Sequence, residues 1–247
     1  MISNCLKKEI TALQKELLEK GIPPEAELIY NGRNKLYKLT LPSGLTVNIK
    51  AFRRLGIIRG MVYALFSAPK SVKSFRNSER LIELGFRVPL PYGHVEEREW
   101  GGMRLGRSYY ISEQLEDFEE TRCWENWPDK EDFCEALGAE MAKLYRQGVL
   151  FRDFSPGNVL LVSRKPYRFA YVDVNRTDFG VKSRRRMMTM FKRINIVPDE
   201  TARLARAMAR SMGWEQDATE KEALGILRRF LWWKDDFMKP IKRMFRR

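Results

Sequence analysis

"GVLFRDFSPGNVLL" occupies residues 148–161. Within it Asp153 stands five positions before Asn158, with Pro156 and Gly157 between them and apolar residues on both sides. That composition reads as a tight turn joining buried segments. Twenty residues after Asp153 comes Asp173, in "YVDVN", at the end of a second short apolar run. Three oxygen-bearing side chains therefore leave the ends of two neighbouring strand-like runs. Hard cations such as Mg²⁺ take oxygen ligands, typically one or two carboxylates with substrate phosphates completing the shell. Phosphoryl transfer asks a protein for positioning, charge neutralisation and a group that orients the attacking hydroxyl. Asp153 suits the last task, and Asn158 and Asp173 suit metal binding. Taken alone, however, the D-x4-N spacing favours a capped turn in which Asp153 satisfies backbone N–H groups. The rest of the chain has to decide between the two.

Upstream, residues 4–20 carry Leu6, Ile10, Leu13 and Leu17 at helical spacing, and "GIPPE" ends the run. "AELIY", "KLYKLTL" and "LTVNIKAF" are strand-like and separated by the turn signals "NGRN" and "PSG", which predicts a three-stranded antiparallel start. In "VNIKAF", Val47 and Ile49 share one face of a strand while Asn48 and Lys50 share the other. Lys50 is then either a phosphate-binding ammonium or a solvent-facing one. The segment 53–85 reads as helical on both sides of Pro69. Its later half places Val72, Phe75, Glu79 and Ile82 on one face, so Glu79 is a carboxylate in an apolar stripe. A buried carboxylate is costly unless paired, and Lys50 is an available partner; Glu83, at the edge of the stripe, is the alternative. "FRVPLPYGHV" and "GRSYYISEQLED" are extended, and residues 129–148 form a helix with Phe133, Leu137, Met141 and Leu144 inward. Beyond Phe179 the chain reads as mostly helical. The expected architecture is α+β and two-lobed, with a cleft near residues 113–118.

Composition narrows the function. No apolar run reaches the roughly 18 residues of a membrane span, and the first residues lack a secretory h-region. Three cysteines without metal-ligand spacing are expected to be reduced thiols of a cytosolic protein. The lone histidine, His94, expected in a loop, makes a histidine-rich metal site impossible and histidine-centred acid–base chemistry improbable. The net charge of +14 is uneven: residues 181–247 carry 18 Lys and Arg against 8 Asp and Glu, whereas residues 1–180 carry 28 against 24. Such asymmetry suits an anionic partner or, equally, a solvated basic surface.

Taken together, "VNIKAF", "FRDFSPGN" and "VDVNR" resemble, in order, the lysine strand, the catalytic loop and the metal-binding motif of the protein-kinase-like superfamily. Within it, "YNGRNKLYKL", "ELGFRVPLPYGHVEE", "GRSYYISEQLED" and "FRDFSPGNVLL" look like segments of the lipopolysaccharide-core (Kdo) kinases of Gram-negative bacteria. The likeness runs over residues 26–180. It implies a protein-kinase-like fold with a helix at 1–24, a β-rich nucleotide-binding lobe at 25–117 and a helical lobe at 118–247. It implies ATP- and Mg²⁺-dependent phosphorylation of a sugar hydroxyl, with Kdo on lipid A as acceptor, at the cytosolic face of the inner membrane. Carried over by residue, Asp153 would be the base and Asn158 and Asp173 the Mg²⁺ ligands. Lys50 would bind the α- and β-phosphates with Glu79 as partner, Glu113 and Leu115 would offer backbone groups to adenine, and Gly32 would mark the phosphate-covering turn. The departures are Phe151 in place of the catalytic-loop histidine, a single glycine in that covering turn, Ser155 where protein kinases often carry lysine, and the lack of the D-F-G glycine in "VDVNR". No A-P-E segment follows, which argues against peptide substrates.

The last residues, "RRFLWWKDDFMKPIKRMFRR", interleave Trp232, Trp233, Phe237, Met238, Ile241, Met244 and Phe245 with Lys and Arg, with Pro240 expected to kink or end the helix. This suits an anionic glycolipid surface; the tryptophans could equally pack in the helical lobe. Arg53, Arg54 and Arg59 beside "LGIIRGMVYALF" form a second such candidate. The competing readings are a kinase of the same fold with another acceptor, and a non-catalytic pseudokinase or nucleic-acid-binding protein. Retention of all three oxygen donors argues against the latter, so no nucleic acid is expected.

Overall fold

The computed structural model describes residues 4–194 and 197–234. The polypeptide divides into two compact units: the described residues up to Asp117 together with Asp173–Asn175, and Phe118–Val172 with the described residues from Arg176 onward.

The first unit opens with helix α1 (Asn4–Glu19), then strands β1 (Glu27–Asn31), β2 (Lys35–Thr40) and β3 (Thr46–Phe52), helices α2 (Ile57–Phe66) and α3 (Lys70–Glu83), and strands β4 (Pro91–Glu99) and β5 (Arg104–Glu113). The strands form one sheet in the order β1-β2-β3-β5-β4, antiparallel throughout. The expected alternation holds in β3: Val47 and Ile49 are buried, and Asn48 and Lys50 lie on the other face. Ile10, Leu13 and Leu17 of α1 complete one apolar core with Leu39, Val47, Ile49, Val95 and Ile111, each fully buried side chain contributing roughly 1.5–3 kcal/mol. Helix α1 stops at Gly21, whose φ of +89° suits a residue without a Cβ. His94 lies in strand β4 rather than in a loop, because the Pro-rich approach ends at Pro91 and pairing begins there; its Nδ1 lies 3.0 Å from Glu96 Oε1.

The phase of α3 also differs from the expectation. Its buried residues are Ser71, Ser74, Ser78 and Leu81. Small polar side chains let the helix lie close to β4 and β5, where Ser78 Oγ and the Tyr110 hydroxyl are 2.9 Å apart. Glu79 is consequently exposed, and Ile82 with it.

The second unit comprises β6 (Glu119–Glu120), α4 (Lys130–Arg146), β7 (Leu150–Phe151), β8 (Val159–Arg164), β9 (Tyr167–Tyr171), β10 (Thr177–Asp178), α5 (Arg184–Met187), α6 (Pro198–Met212) and α7 (Gln216–Trp232). The strands make a three-stranded sheet, β6-β8-β9, and a β7/β10 pair. Helix α4 buries Phe133, Leu137, Met141 and Leu144, as its periodicity predicts. It meets α6 at Gly138, where a Cβ would stand 2.6 Å from Ala207 Cβ and 2.7 Å from the Met208 amide nitrogen, so only glycine permits this approach. Among the described residues no helix is long and apolar enough to cross a membrane.

Candidate active site

The turn at 152–158 is fastened from all sides. Phe151 and Phe154 are buried and pack on Tyr171, with Phe151 and Tyr171 centroids 5.4 Å apart. An apolar ring at position 151 thus anchors the loop by burial. The Asn158 and Val159 amides donate to Ser155 O at 2.8 and 3.1 Å, and Thr121 Oγ1 donates to Pro156 O and Val159 O. The Asn158 side-chain amide donates to the Asp153 carbonyl at 2.9 Å, closing the turn. The capping is therefore done by Asn158. The Asp153 carboxylate is directed elsewhere, to two guanidiniums: Arg193 Nη1 lies 2.6 Å from its Oδ1 and Arg176 Nη1 lies 3.2 Å from its Oδ2. With its amide nitrogen engaged, Asn158 keeps the Oδ1 oxygen as the atom it can offer a cation.

In the first unit, Lys50 Nζ lies 2.7 Å from Asp173 Oδ1, and the two side chains are 14% and 32% exposed. This corrects the expected pairing of Lys50 with Glu79: with serines on its inner face, α3 holds Glu79 outward, and the carboxylate at Lys50 is that of Asp173. Glu83 pairs with Arg80 on the helix surface. Opposite Lys50 in the β3/β5 register is Tyr110. Burial pushes its phenol up to about 12, so it stays neutral beside the ammonium. Asp173 has φ of +56°, a left-handed conformation that a short polar side chain tolerates and that persists where the surroundings hold it. Two asparagines help to do so: Asn175 Nδ2 donates to Asp173 Oδ1, and Asn77 Nδ2 of α3 donates to Val174 O at 2.8 Å.

Glu113 ends β5. Its side chain accepts from Arg87 at 2.7 Å and from the Leu90 amide, its own amide donates to Leu90 O, and its carbonyl accepts from Ser112 Oγ at 3.4 Å; a carbonyl oxygen has a second lone pair to present. Gln114 spans the next turn, accepting from Asn48 and donating to Leu115 O at 2.7 Å. Gly32 lies in the β1–β2 turn with the Tyr30 ring directly over it, 2.5 Å from where a Cβ would stand.

The described residues hold no cluster of three or more His, Cys, Asp or Glu suited to a metal. Asp173 in the first unit and Asn158 in the second are each a hard oxygen donor of the kind that Mg²⁺ takes. Sequence reasoning missed Asn77, Asn175, Arg176 and Arg193. Arg176 is adjacent to "VDVN", but one arginine in a chain with 46 Lys and Arg gives no signal of its own.

A model of the lipopolysaccharide kinase (Kdo/WaaP) family matches residues 51–208. The chain belongs to that family. The match takes in Asp153, Asn158 and Asp173 but begins one residue after Lys50. No curated protein matches the chain. Among solved structures, WaaP in complex with acyl carrier protein aligns with a TM-score of 0.54 at 16% identity, over 87% of this chain and 93% of that one. The amicoumacin kinase hAmiN, solved with AMP-PNP, Ca²⁺ and Ami, aligns with a TM-score of 0.60 at 11% identity, over 92% and 86%. These likenesses establish the protein-kinase-like α+β fold, β-rich in its N-terminal part and helical in its C-terminal part, and membership of the Kdo/WaaP family makes the chain a kinase of this fold.

Proposed function

We propose that this protein transfers the γ-phosphate of ATP to a sugar hydroxyl of lipopolysaccharide core, with Kdo on lipid A as the acceptor. The observation that carries the reading is the disposition of the 152–158 turn: Asn158 does the capping, so the Asp153 carboxylate is not used to cap the turn and is held at its rim by Arg193 and Arg176. Asp153 accepts the hydroxyl proton as the oxygen attacks. Lys50, held by Asp173, neutralises nucleotide phosphate charge. Glu113 and Leu115 present backbone groups to adenine, and Gly32 lies in the turn that covers the phosphates. Asn158 and Asp173 would hold Mg²⁺, which supplies charge neutralisation at the transferring phosphoryl group. Glu79 is left on the exposed face of α3 and is given no part.

The same reading places the enzyme on the cytosolic face of the inner membrane. Helix α2 rests on β5 through Gly60, whose Cβ would meet Leu105 O at 3.3 Å. Its other side exposes Ile57, Ile58, Val62, Leu65 and Phe66, with Ile58 and Phe66 79% and 81% exposed. Arg53 and Arg54 flank it, Arg54 paired with Glu99; the Arg59 side chain lies outside the described residues. An apolar face rimmed by arginines suits an anionic leaflet. Trp232 and Trp233 are exposed as well, which disfavours burial of both in the helical part; Phe237, Met238, Pro240, Ile241, Met244 and Phe245 lie outside the described residues.

The test is phosphate transfer from labelled ATP, with Mg²⁺, to Kdo–lipid A and to generic peptide acceptors. Transfer to the glycolipid is expected, with Asp153→Asn lowering turnover by about 10²–10⁴-fold. Transfer to peptide alone, or full turnover by the variant, contradicts the assignment.

A further inference from the structure

The base proposed above is unusually crowded by positive charge. Asp153 is 18% exposed, whereas the Arg176 and Arg193 side chains bound to its two oxygens are 55% and 46% exposed. Arg193 is also steadied by the Phe230 ring, 5.6 Å from its guanidinium carbon. The β7/β10 pair brings up a second set: Arg152 donates its amide to Arg176 O and its guanidinium to Asp178, 2.7 Å away, and Arg186 reaches the same Asp178 oxygen at 2.7 Å. Four guanidiniums thus surround two carboxylates. Half-exposed ion pairs add little to stability, and two of them occupy the very oxygens that must receive a proton from the acceptor. For a scaffold alone this is a poor arrangement.

An acceptor bearing its own anion resolves it. A guanidinium is a planar fork of donors matched to carboxylate or phosphate, and it can pass from Asp153 to an incoming anion at little cost because both are carboxylate-like partners. The exchange frees an Asp153 oxygen at the moment the hydroxyl arrives and fixes where that hydroxyl sits. We infer that Arg176 and Arg193 form an anion-recognition site for the acceptor, so that the sugar phosphorylated carries a carboxylate or phosphate next to its reacting hydroxyl. The inference rests on the kinase reading and adds the acceptor's chemistry to it. In the step itself the hydroxyl oxygen bonds to the γ-phosphorus, the bond from that phosphorus to the ADP oxygen breaks with its electrons leaving on ADP, and the hydroxyl proton passes to Asp153.

The test compares an acceptor glycolipid in three forms: intact, with its sugar carboxylates converted to methyl esters, and with its phosphates removed. For the wild-type enzyme, neutralising the recognised anion should raise the acceptor KM about tenfold or more, the loss of one charge-assisted hydrogen bond, with the ATP KM unchanged. Whichever form loses affinity identifies the anion as carboxylate or phosphate. Arg193→Gln and Arg176→Gln should produce the same rise on the intact acceptor and less than about a twofold further change on the neutralised one, and Arg193→Lys should restore part of the loss. Equal kinetics for all three acceptors with the wild type, or variants that weaken every form alike, overturns the anion site while leaving the kinase reading in place. The wild-type comparison alone suffices if a variant does not fold. Absence of transfer to any form overturns the kinase reading and this inference with it.

Discussion

Lys50 and Asp173 offer a direct physical test, because their contact joins a sheet lysine to a three-residue segment distant in sequence. At 2.7 Å the gross attraction is about 6 kcal/mol for an effective dielectric of about 20. Most of it is offset by desolvation, since Lys50 is 14% and Asp173 32% exposed. Water and salt reach Asp173 well enough to discount the rest, leaving a coupling of about 1–2 kcal/mol. The perturbations are Lys50→Met, Asp173→Asn and both together. The readout is hydrogen exchange of the β3 amides, Thr46–Phe52, which reports opening of the first unit separately from the second. Each single change should lower β3 protection by about 1–3 kcal/mol, and the double should cost less than their sum by the coupling. Additive losses, with coupling below about 0.3 kcal/mol, would show that the ammonium and carboxylate do not meet in solution.

Gly138→Val places branched carbon where a Cβ already stands 2.6 Å from Ala207 Cβ; overpacking of about 1–3 kcal/mol or more should lower the melting midpoint of the second unit by several degrees in calorimetry. For Glu96, burial opposes ionisation, but hydrogen bonds from His94 and Ser71 outweigh it and the carboxyl is held below its ordinary 4.5. Its contribution is therefore complete above that value and lost as pH falls through the lower folded value. The stability gap between wild type and Glu96→Gln, followed by urea denaturation, should be constant above about pH 5 and close below pH 4.5; a gap that persists in acid refutes the pairing. Ile58→Glu with Phe66→Glu should abolish most co-sedimentation with vesicles rich in anionic lipid while leaving transfer to a detergent-solubilised acceptor intact; unchanged sedimentation removes α2 from the docking surface.

The strands β1–β3, the face of α4 and the 152–158 turn were legible in the sequence because each is set by local periodicity or turn chemistry. The phase of α3 was not. Serines at 71, 74 and 78 read as a surface stripe, and only packing on β4 and β5 shows that small size, rather than polarity, decided which face turned inward. That single inversion moved Glu79 outward and left Asp173 as the carboxylate at Lys50. The D-x4-N pair was ambiguous for a related reason: spacing cannot say which member caps, and here the amide of Asn158 does so. Arg176 and Arg193 were invisible because their meaning lies in sharing one carboxylate, a relation between positions 153, 176 and 193 that no local pattern encodes.

The most direct measurement is a crystal structure of the protein with AMP-PNP and Mn²⁺, the ion located by its anomalous signal. The account predicts the ion bound by Asn158 Oδ1 and an Asp173 carboxylate oxygen at about 2.0–2.3 Å, Lys50 Nζ on nucleotide phosphate oxygens, and Asp153 bare of metal and facing the γ-phosphate. A nucleotide seated elsewhere, or an ion that leaves both Asn158 and Asp173 unligated, would contradict it.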